Sequence, residues 1–374
     1  MPPFARVIAL LALLFLFLVG VNGLGSGFEL VGEDLLGSFF AATENPFIGL
    51  MIGILATTLV QSSSVTTASI VGFVAAPVNP LPIANAVPMI MGANIGTTVT
   101  NTVASLAHMN RKEEFRRAFA VATCHDFFNY LAVLILLPLE LATGFLRRTA
   151  TAMAGALGGL GGADYDSPIK GAIGAATAPL ERFAEAVGPS DGWAALILVT
   201  ASGILIFVSL MSIVSLMRSA MKSRVESLVT LALGKTPLIA IAVGIVATVM
   251  VQSSSITTSL LVPLAGAGVL TLQQAFPVTL GANIGTTVTA LLAALATTGE
   301  HAEAGLTIAL VHLLFNLSGT LLIYPFEPLR NIPLRLARWL ADLAVRSRFL
   351  AVAYVVGLFY LVPAAFAILN RALG

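Results

Sequence analysis

Charged residues are scarce in this sequence, and cysteine is almost absent. Only 10% of the 374 residues are charged, 57% are hydrophobic, and the mean hydropathy is +0.96. This composition lies outside that of soluble domains and indicates a chain that folds in lipid. The single cysteine, Cys124, excludes an intramolecular disulfide and a cysteine-rich metal site. Because no basic cluster is interleaved with aromatic residues, we expect no nucleic-acid partner.

The N-terminal segment has the outline of a secretory signal, with Arg6 followed by an apolar run over 7–19. A cleavage site needs small residues just after that run, and Val21-Asn22-Gly23 matches poorly. We therefore expect a retained first helix.

The most informative feature is an internal duplication, because repeats decide the fold class. Gln61-Ser62-Ser63-Ser64 recurs as Gln252-Ser253-Ser254-Ser255, and Gly-Ala-Asn-Ile-Gly-Thr-Thr-Val-Thr occupies both 92–100 and 281–289. A third set follows at constant offset: His125, Phe128 and Asn129 match His312, Phe315 and Asn316. The duplicated units therefore cover residues 46–140 and 236–327.

Loop charge predicts how the two units are oriented. Between its second and third motifs, the first unit carries basic residues, whereas the second carries only acidic ones: Arg111, Lys112, Arg116 and Arg117 against Glu300 and Glu303. Cytoplasmic loops are enriched in Lys and Arg, so these equivalent loops should lie on opposite faces of the membrane. The other connections agree, with Glu29, Glu33, Asp34 and Glu44 outside and Arg218, Lys222, Arg224 and Lys235 inside. The repeats are predicted to be inverted.

This orientation constrains the segments around each serine motif. Residues 47–75 must return to the side from which they entered, which predicts a hairpin with its tip near residues 61–64 and a turn at Pro77, Pro80 and Pro82. The same reasoning gives a second hairpin over 237–270. Gly92, Gly96, Gly281 and Gly285 are expected to permit local unwinding of the following helix.

We predict an all-α polytopic membrane protein of two inverted-topology repeats, each with a re-entrant helical hairpin and a broken transmembrane helix. Its predicted parts are an N-terminal transmembrane helix and outer segment (1–45), repeat 1 (46–140), an external connector (141–192), a linking transmembrane helix and cytoplasmic loop (193–235), repeat 2 (236–327), and a cytoplasmic loop with a C-terminal transmembrane helix (328–374).

The duplicated motifs offer hydroxyls, carboxamides and exposed backbone but no fixed charge. No Lys, Arg, Asp or Glu occurs over 46–110 or 236–299. An anion bound in a neutral, apolar setting loses hydration that must be offset, and a co-bound cation is the obvious source. The pattern favours cation-coupled uptake of an anion.

Asp126 is a carboxylate within the apolar segment 119–137, where it is costly and therefore indicates a cation site or a proton relay. Its equivalent in the second unit is Leu313, so this charge breaks the symmetry. His125 and His312 are interpreted as hydrogen-bonded helix anchors, and Asn129 and Asn316 as ties between helices.

These motifs, together with Phe115-Arg116-Arg117-Ala118-Phe119-Ala120 and His125-Asp126-Phe127-Phe128-Asn129, resemble those of the type II sodium-phosphate cotransporter family. The resemblance implies import of inorganic phosphate driven by co-transported sodium ions, through alternating access. It implies phosphate binding by the two Gln-Ser-Ser-Ser motifs: Gln61, Ser62, Ser63, Ser64, Gln252, Ser253, Ser254 and Ser255. The implied sodium sites comprise Asn94, Thr97, Thr98, Asn283, Thr286 and Thr287, to which we add Thr66, Thr257 and Asp126.

Within that family, Asp126 matches the aspartate that separates electrogenic from electroneutral members, so electrogenic transport is expected. Animal members carry a long glycosylated, disulfide-bearing external loop, whereas this chain has a short connector and one cysteine. It resembles a bacterial form, so we expect a multi-pass protein of the inner membrane, surrounded by lipid. A homodimer is implied by the resemblance only.

Other functions stay open at this point. The same fold coupled to protons, or carrying another oxyanion, fits the motifs, and a neutral polar filter also suits an ion channel. An enzyme is not expected, because an activated serine needs a positioned base and usually a Gly-x-Ser-x-Gly setting, which neither serine motif has.

Overall fold

The computed structural model describes residues 3–30, 43–76, 80–160, 168–232, 235–297 and 301–373, and all regular structure within these ranges is helical. In chain order, the helices are α1 (Pro3–Leu30), α2 (Pro46–Val60), α3 (Ser63–Val74), α4 (Ile83–Thr97), α5 (Val99–Ser105), α6 (Lys112–Thr143), α7 (Phe145–Leu160), α8 (Pro168–Val187), α9 (Asp191–Ala232), α10 (Pro237–Val251), α11 (Ser254–Gly266), α12 (Leu272–Ala296), α13 (Ala302–Ile323), α14 (Glu327–Arg346), α15 (Arg348–Val356), a π-helical segment (Gly357–Leu361) and α16 (Val362–Leu373).

Six apolar stretches of the described helices are long enough to cross a membrane, which supports a polytopic membrane protein. They are Phe4–Gly27, Lys112–Thr143, Asp191–Met217, Leu272–Leu295, Ala302–Ile323 and Arg348–Phe366. The prediction of an all-α membrane protein is confirmed.

Each serine motif forms the turn between two short apolar helices, as predicted. Helices α2 and α3 have 15 and 12 residues, and α10 and α11 have 15 and 13. At about 1.5 Å per residue, none of these arms exceeds about 23 Å, which is less than the ~30 Å hydrocarbon core. Asn45 begins the first hairpin by accepting a hydrogen bond from the amide of Phe47, and Pro46 occupies the first helical turn.

The predicted unwinding at the motif glycines is wrong. Helix α12 continues without interruption through Gly281 and Gly285, and only Thr98 separates α4 from α5 while keeping right-handed helical angles. The glycines instead allow close helix crossings. A β-carbon at Gly92 would overlap the carbonyl oxygen of Leu50, and one at Gly281 would overlap that of Ile241.

The partner helices of these crossings, the first arms of the two hairpins, also carry a glycine at the contact. A β-carbon at Gly53 would overlap the carbonyl oxygen of Met89, and one at Gly244 would overlap that of Val278. Small residues let backbones approach closely where lipid provides no hydrophobic force between helices. Packing thus explains why glycine stands at both ends of Gly92-Ala-Asn-Ile-Gly96.

The hairpins connect the two duplicated units. The first arm of each hairpin packs within its own unit, α2 on α4 and α10 on α12. The second arm packs on the other unit, α3 on α12 and α13, and α11 on α5 and α6. The two serine motifs are consequently brought to the middle of one bundle.

Several segments predicted as connectors are helical. The stretch predicted as the external connector contains α7 and α8, and that predicted as the last cytoplasmic loop contains α14, which packs along α6. The amphipathic α14 buries apolar residues such as Leu334 and Leu340 and exposes Arg335, Arg338 and Arg346. The predictions above also used Glu33, Asp34, Pro77 and Glu300, and these four residues lie outside the described part of the chain.

Candidate functional site

The two serine motifs line a single cavity. It has a volume of about 180 Å³ and is bounded by the eight residues of both motifs and by four apolar residues: Gln61, Ser62, Ser63, Ser64, Gln252, Ser253, Ser254, Ser255, Leu210, Met211, Val214 and Ile256. Three of the apolar residues belong to α9, which lies outside both duplicated units. All the residues predicted for phosphate therefore meet in one place, and none of the lining residues is charged.

Two helices begin at this cavity. Ser62 and Ser253 are the N-cap residues of α3 and α11, and Ser63 and Ser254 are their first helical residues. Ser63, Ser64 and Ser254 are buried, being 7%, 7% and 3% exposed. The first amides of a helix have no intrahelical acceptor, and the N-terminus carries about half a positive charge. The cavity therefore offers hydroxyl and amide donors suited to an anion.

Gln61 and Gln252 form the turns at the tips of the hairpins. Both adopt left-handed backbone angles, with φ of 57° and 53°, and are the only non-glycine residues to do so in the described part of the chain. Each side-chain amide donates to a carbonyl of the preceding helix, that of Thr58 at 2.5 Å and that of Val249 at 2.8 Å. These bonds end the first arm of each hairpin.

The carbonyl ends of the same glutamines are also held. Gln61 Oε1 accepts a hydrogen bond from Thr100 Oγ1 at 3.1 Å, and Gln252 Oε1 accepts one from Thr289 Oγ1 at 3.2 Å. Thr289 Oγ1 further accepts a bond from Ser64 Oγ of the other unit at 3.4 Å. Thr100 and Thr289 are the last residues of the duplicated nonapeptide, so each nonapeptide is tied to the serine motif of its own unit.

The threonines predicted as sodium ligands are buried and bonded to their own helices. In matching positions, Thr97 and Thr286 donate to the carbonyls of Ala93 and Ala282 at 2.8 and 3.0 Å. Four more hydroxyls, those of Thr66, Thr98, Thr257 and Thr287, donate to carbonyls three or four residues earlier. A hydroxyl that donates its hydrogen keeps lone pairs, so each oxygen can still accept a bond or coordinate a cation.

Asn94 and Asn283 instead hold the two units together. Asn94 Oδ1 accepts from Asn316 Nδ2 at 3.0 Å and lies 3.4 Å from His312 Nε2. Asn283 Oδ1 lies 2.7 Å from His125 Nε2, and its amide donates to Asn129 Oδ1 at 2.8 Å.

All six side chains of this network are buried. The predicted roles of the histidines as anchors, and of Asn129 and Asn316 as ties, are confirmed by these bonds. Asn94 Oδ1 has two partners in this network, whereas Asn283 Oδ1 has one and keeps a lone pair that can coordinate a cation.

Asp126 lies on α6 and is fully buried. Its Oδ2 accepts hydrogen bonds from Thr102 Oγ1 at 3.1 Å and from Tyr354 Oη at 2.9 Å. Among the described residues, no salt bridge reaches this carboxylate. A buried carboxylate surrounded by neutral hydroxyl oxygens suits a hard cation, which prefers oxygen ligands.

Some contributors to the site were not predicted from the sequence. Thr100 and Thr289 belong to the nonapeptide, and their duplication could have identified them. Tyr354 and the wall residues Leu210, Met211 and Val214 lie outside both duplicated units, so no repeat signal pointed to them.

Comparison with known proteins agrees with this duplicated, uncharged site. The Na+/Pi-cotransporter family profile matches residues 16–161 and 205–332 of the chain. The chain belongs to this family. In an alignment of 449 residues, gaps included, it is 34% identical to sodium-dependent phosphate transport protein 2B of Pongo abelii and of Homo sapiens. In an alignment of 427 residues, it is 35% identical to sodium-dependent phosphate transport protein 2A of Rattus norvegicus. No solved structure matches the chain.

These alignments cover 96% of this chain but 64%, 64% and 66% of the respective relatives. The chain thus spans just under two thirds of the length of the relatives that it matches. Membership of this family agrees with a multi-pass membrane protein.

Proposed function

We propose that this chain is a secondary active transporter that imports inorganic phosphate together with sodium by alternating access. Its family consists of Na+/Pi cotransporters, and the relatives that it matches are named sodium-dependent phosphate transport proteins. The observation that carries the proposal is the single cavity lined by both Gln-Ser-Ser-Ser motifs.

The electrostatics of this cavity support coupling to a cation. Two helix N-termini supply together roughly one positive charge. Phosphate carries roughly two negative charges near neutral pH, so about one charge is left to offset. No charged side chain lines the cavity. A co-bound sodium ion would offset the remainder, which makes phosphate binding depend on sodium.

We propose that buried threonine hydroxyls of the duplicated motifs provide sodium ligands, in two matching sets. They are Thr66, Thr97 and Thr98 in the first unit, and Thr257, Thr286 and Thr287 in the second. Asn94 belongs to the first set and Asn283 to the second, and both also join the units. Asp126 supplies an additional cation site in the first unit only, and a cation bound there beyond those that neutralise phosphate makes transport electrogenic.

We further propose inverted repeats in a bacterial inner membrane. The inverted arrangement is supported by the reciprocal packing of α3 and α11 and by the opposite loop charges. Arg117, from the loop predicted to be cytoplasmic, donates to the carbonyl of Gly266 at the end of the second hairpin. This contact supports the proposal that the basic loop and the end of the second hairpin share one face. A homodimer can be tested by measuring the mass of the purified protein in detergent.

The deciding experiment is uptake of labelled phosphate into proteoliposomes under an inward sodium gradient or, separately, a pH gradient. We expect uptake that needs sodium and is competed by arsenate more strongly than by sulfate. Uptake driven by the pH gradient alone would support proton coupling, and uncoupled current would support a channel. Either result, or no uptake, contradicts the proposal.

A serine variant tests the cavity itself. Ser254→Ala removes a buried hydroxyl donor, and a hydrogen bond to a charged group contributes about 1.5–3 kcal/mol. We expect the phosphate concentration for half-maximal uptake to rise by about tenfold or more. Ser259→Ala is the matched control, because its hydroxyl bonds the carbonyl of Ile256 on the same helix and does not line the cavity. Equal effects of the two variants would argue against phosphate binding at Ser254.

A further inference from the structure

Asp126 is the centre of a polar cluster that the second unit lacks. Thr102, which donates to its carboxylate, stands ten residues after Gly92, and the residue ten after Gly281 is Leu291. The equivalent of Asp126 is Leu313. Thr102 and Asp126 are thus both replaced by leucine in the second unit. The two units therefore differ in a whole hydrogen-bonded cluster and not only in one charge.

The third member of the cluster comes from outside the duplication. Tyr354 lies on α15 and donates its hydroxyl to Asp126 Oδ2 at 2.9 Å, closer than Thr102. Its ring is held by aromatic neighbours, with centroid distances of 6.4 Å to Phe119, 6.3 Å to Phe127 and 6.1 Å to Phe359. This packing fixes the ring and so directs the hydroxyl at the carboxylate.

A further hydroxyl lies next to the cluster. Tyr130 follows Asp126 by four residues on α6 and therefore lies on the same face of that helix. Its buried hydroxyl has no hydrogen-bond partner among the described residues. A buried polar group without a partner is costly, so this oxygen is available for a ligand.

The helical stretch that carries Tyr354 also contacts Gln61, one of the residues that line the cavity of the serine motifs. A π-helical segment, Gly357–Leu361, follows directly, and such segments occur frequently at functional sites. Tyr360, within this segment, places its hydroxyl 3.5 Å from Gln61 Nε2. One helix outside the repeats therefore contacts both the Asp126 cluster and the tip of the first hairpin.

We infer that Tyr354 is a positioning residue for the cation bound at Asp126, and that its hydroxyl oxygen completes this site. The inference rests on the proposed sodium-coupled transport. The hydroxyl bond holds the carboxylate in one orientation before sodium binds. When sodium binds, the oxygen can turn a lone pair to the ion. The ion therefore meets oxygens that are already arranged around it.

The test compares Tyr354→Phe with the unmodified chain. This variant keeps the ring and its aromatic contacts while removing only the hydroxyl. We expect the sodium concentration for half-maximal phosphate uptake to rise about tenfold, with little change in maximal uptake at saturating sodium. Tyr324→Phe is the control, because its ring packs on Phe276 and Arg330, away from Asp126. A half-saturation within twofold of the unmodified chain, or a lower one, overturns the inference.

A second variant shows whether Tyr354 acts through Asp126. In an Asp126→Gly background, Tyr354→Phe should cause no further change in sodium dependence, whereas a purely structural role would add its own effect. The stabilisation of the purified chain by sodium, measured as a thermal shift in detergent, provides a readout that does not require transport. A full, additive effect of Tyr354→Phe in this background contradicts the inference.

The two proposals fail in different ways. If the unmodified chain takes up no phosphate with sodium, the proposed function fails. If Asp126→Gly changes sodium dependence and Tyr354→Phe does not, only the role of Tyr354 fails. Should Tyr354→Phe not fold, Thr102→Val removes the other donor to the same oxygen and must raise the sodium requirement.

Discussion

Gln61 and Gln252 have strained backbone angles, and the amide and the carbonyl of each side chain are both hydrogen-bonded. Their φ values of 57° and 53° lie in the left-handed region, where a residue other than glycine is strained. Glycine would remove the strain, but it offers no amide for Thr58 or Val249 and no acceptor for Thr100 or Thr289. The hydrogen bonds of the side chain therefore explain why glutamine stands at both tips. Both strained residues line the cavity that is proposed to bind phosphate.

Gln252→Asn separates these two properties. Asparagine tolerates the left-handed region, but it is one methylene shorter and does not reach Thr289. We expect the melting temperature of the purified chain to stay nearly constant, because one net hydrogen bond contributes only about 1 kcal/mol. The phosphate concentration for half-maximal uptake should rise several-fold, since the tip is no longer held beside the cavity.

Gln273→Asn is the control for this change, because it lies at the exposed start of α12 and does not line the cavity. A large fall in melting temperature for Gln252→Asn, with unchanged phosphate dependence in the molecules that remain folded, would show that Gln252 serves folding alone.

At the scale of single residues, duplication predicted which motifs matter, but chemistry alone did not predict their partners. Repetition identified the serine motifs, which do meet in one cavity, without any knowledge of the packing. The side-chain chemistry of Asn94 predicts a sodium ligand, but it did not predict that its oxygen lies against Asn316 and His312, more than 200 positions later in the chain. Such partners depend on the tertiary arrangement. Tyr354 escaped prediction for the same reason.

The helical elements show a similar division. Hairpin limits were predicted closely, because glutamine-serine turns interrupt apolar runs that are too short to cross a membrane. Unwinding of the next helix was predicted wrongly, because glycine permits both unwinding and close packing. Which of the two occurs depends on the segment that packs against the glycine. Here the partner is the hairpin backbone, which lies within contact of Gly92 and Gly281.

The close crossing of α10 and α12 at Gly281 predicts that adding one methyl group there strongly lowers stability. In Gly281→Ala, the new β-carbon would overlap the carbonyl oxygen of Ile241, and backbone cannot move aside as a flexible side chain can. We expect the loss of about 2 kcal/mol or more of stability, seen as a melting temperature lower by several degrees in detergent. Gly203→Ala on α9 is the control, because a β-carbon there meets nothing within 4 Å.

The control should melt at the same temperature or slightly higher, because alanine favours helix more than glycine does. If Gly281→Ala were as stable as Gly203→Ala, the crossing of α10 and α12 would have to be looser than the structure shows.

On the scale of the whole molecule, reciprocal contacts make the two units interdependent. Each hairpin has its second arm on the other unit, and the buried network pairs Asn94 with Asn316 and Asn283 with Asn129. Neither unit can bury its polar motifs alone. Under the proposed alternating access, movement between states has to keep this network or exchange it as a unit, while the uncharged cavity stays at the junction.

The inverted arrangement makes a prediction about sidedness. Asn110 and Glu303 lie near the equivalent loops and are both exposed; Asn110 precedes Arg111 and Lys112, and Glu303 is itself acidic. If loop charge sets orientation, a cysteine at 110 faces the cytoplasm and one at 303 faces outside. In intact cells, a membrane-impermeant maleimide should label Glu303→Cys, whereas Asn110→Cys should react only after permeabilisation. The native Cys124 is buried, so the unmodified chain provides a low background. Labelling of both cysteines from one side would rule out inversion, and the two hairpins would then enter from the same face.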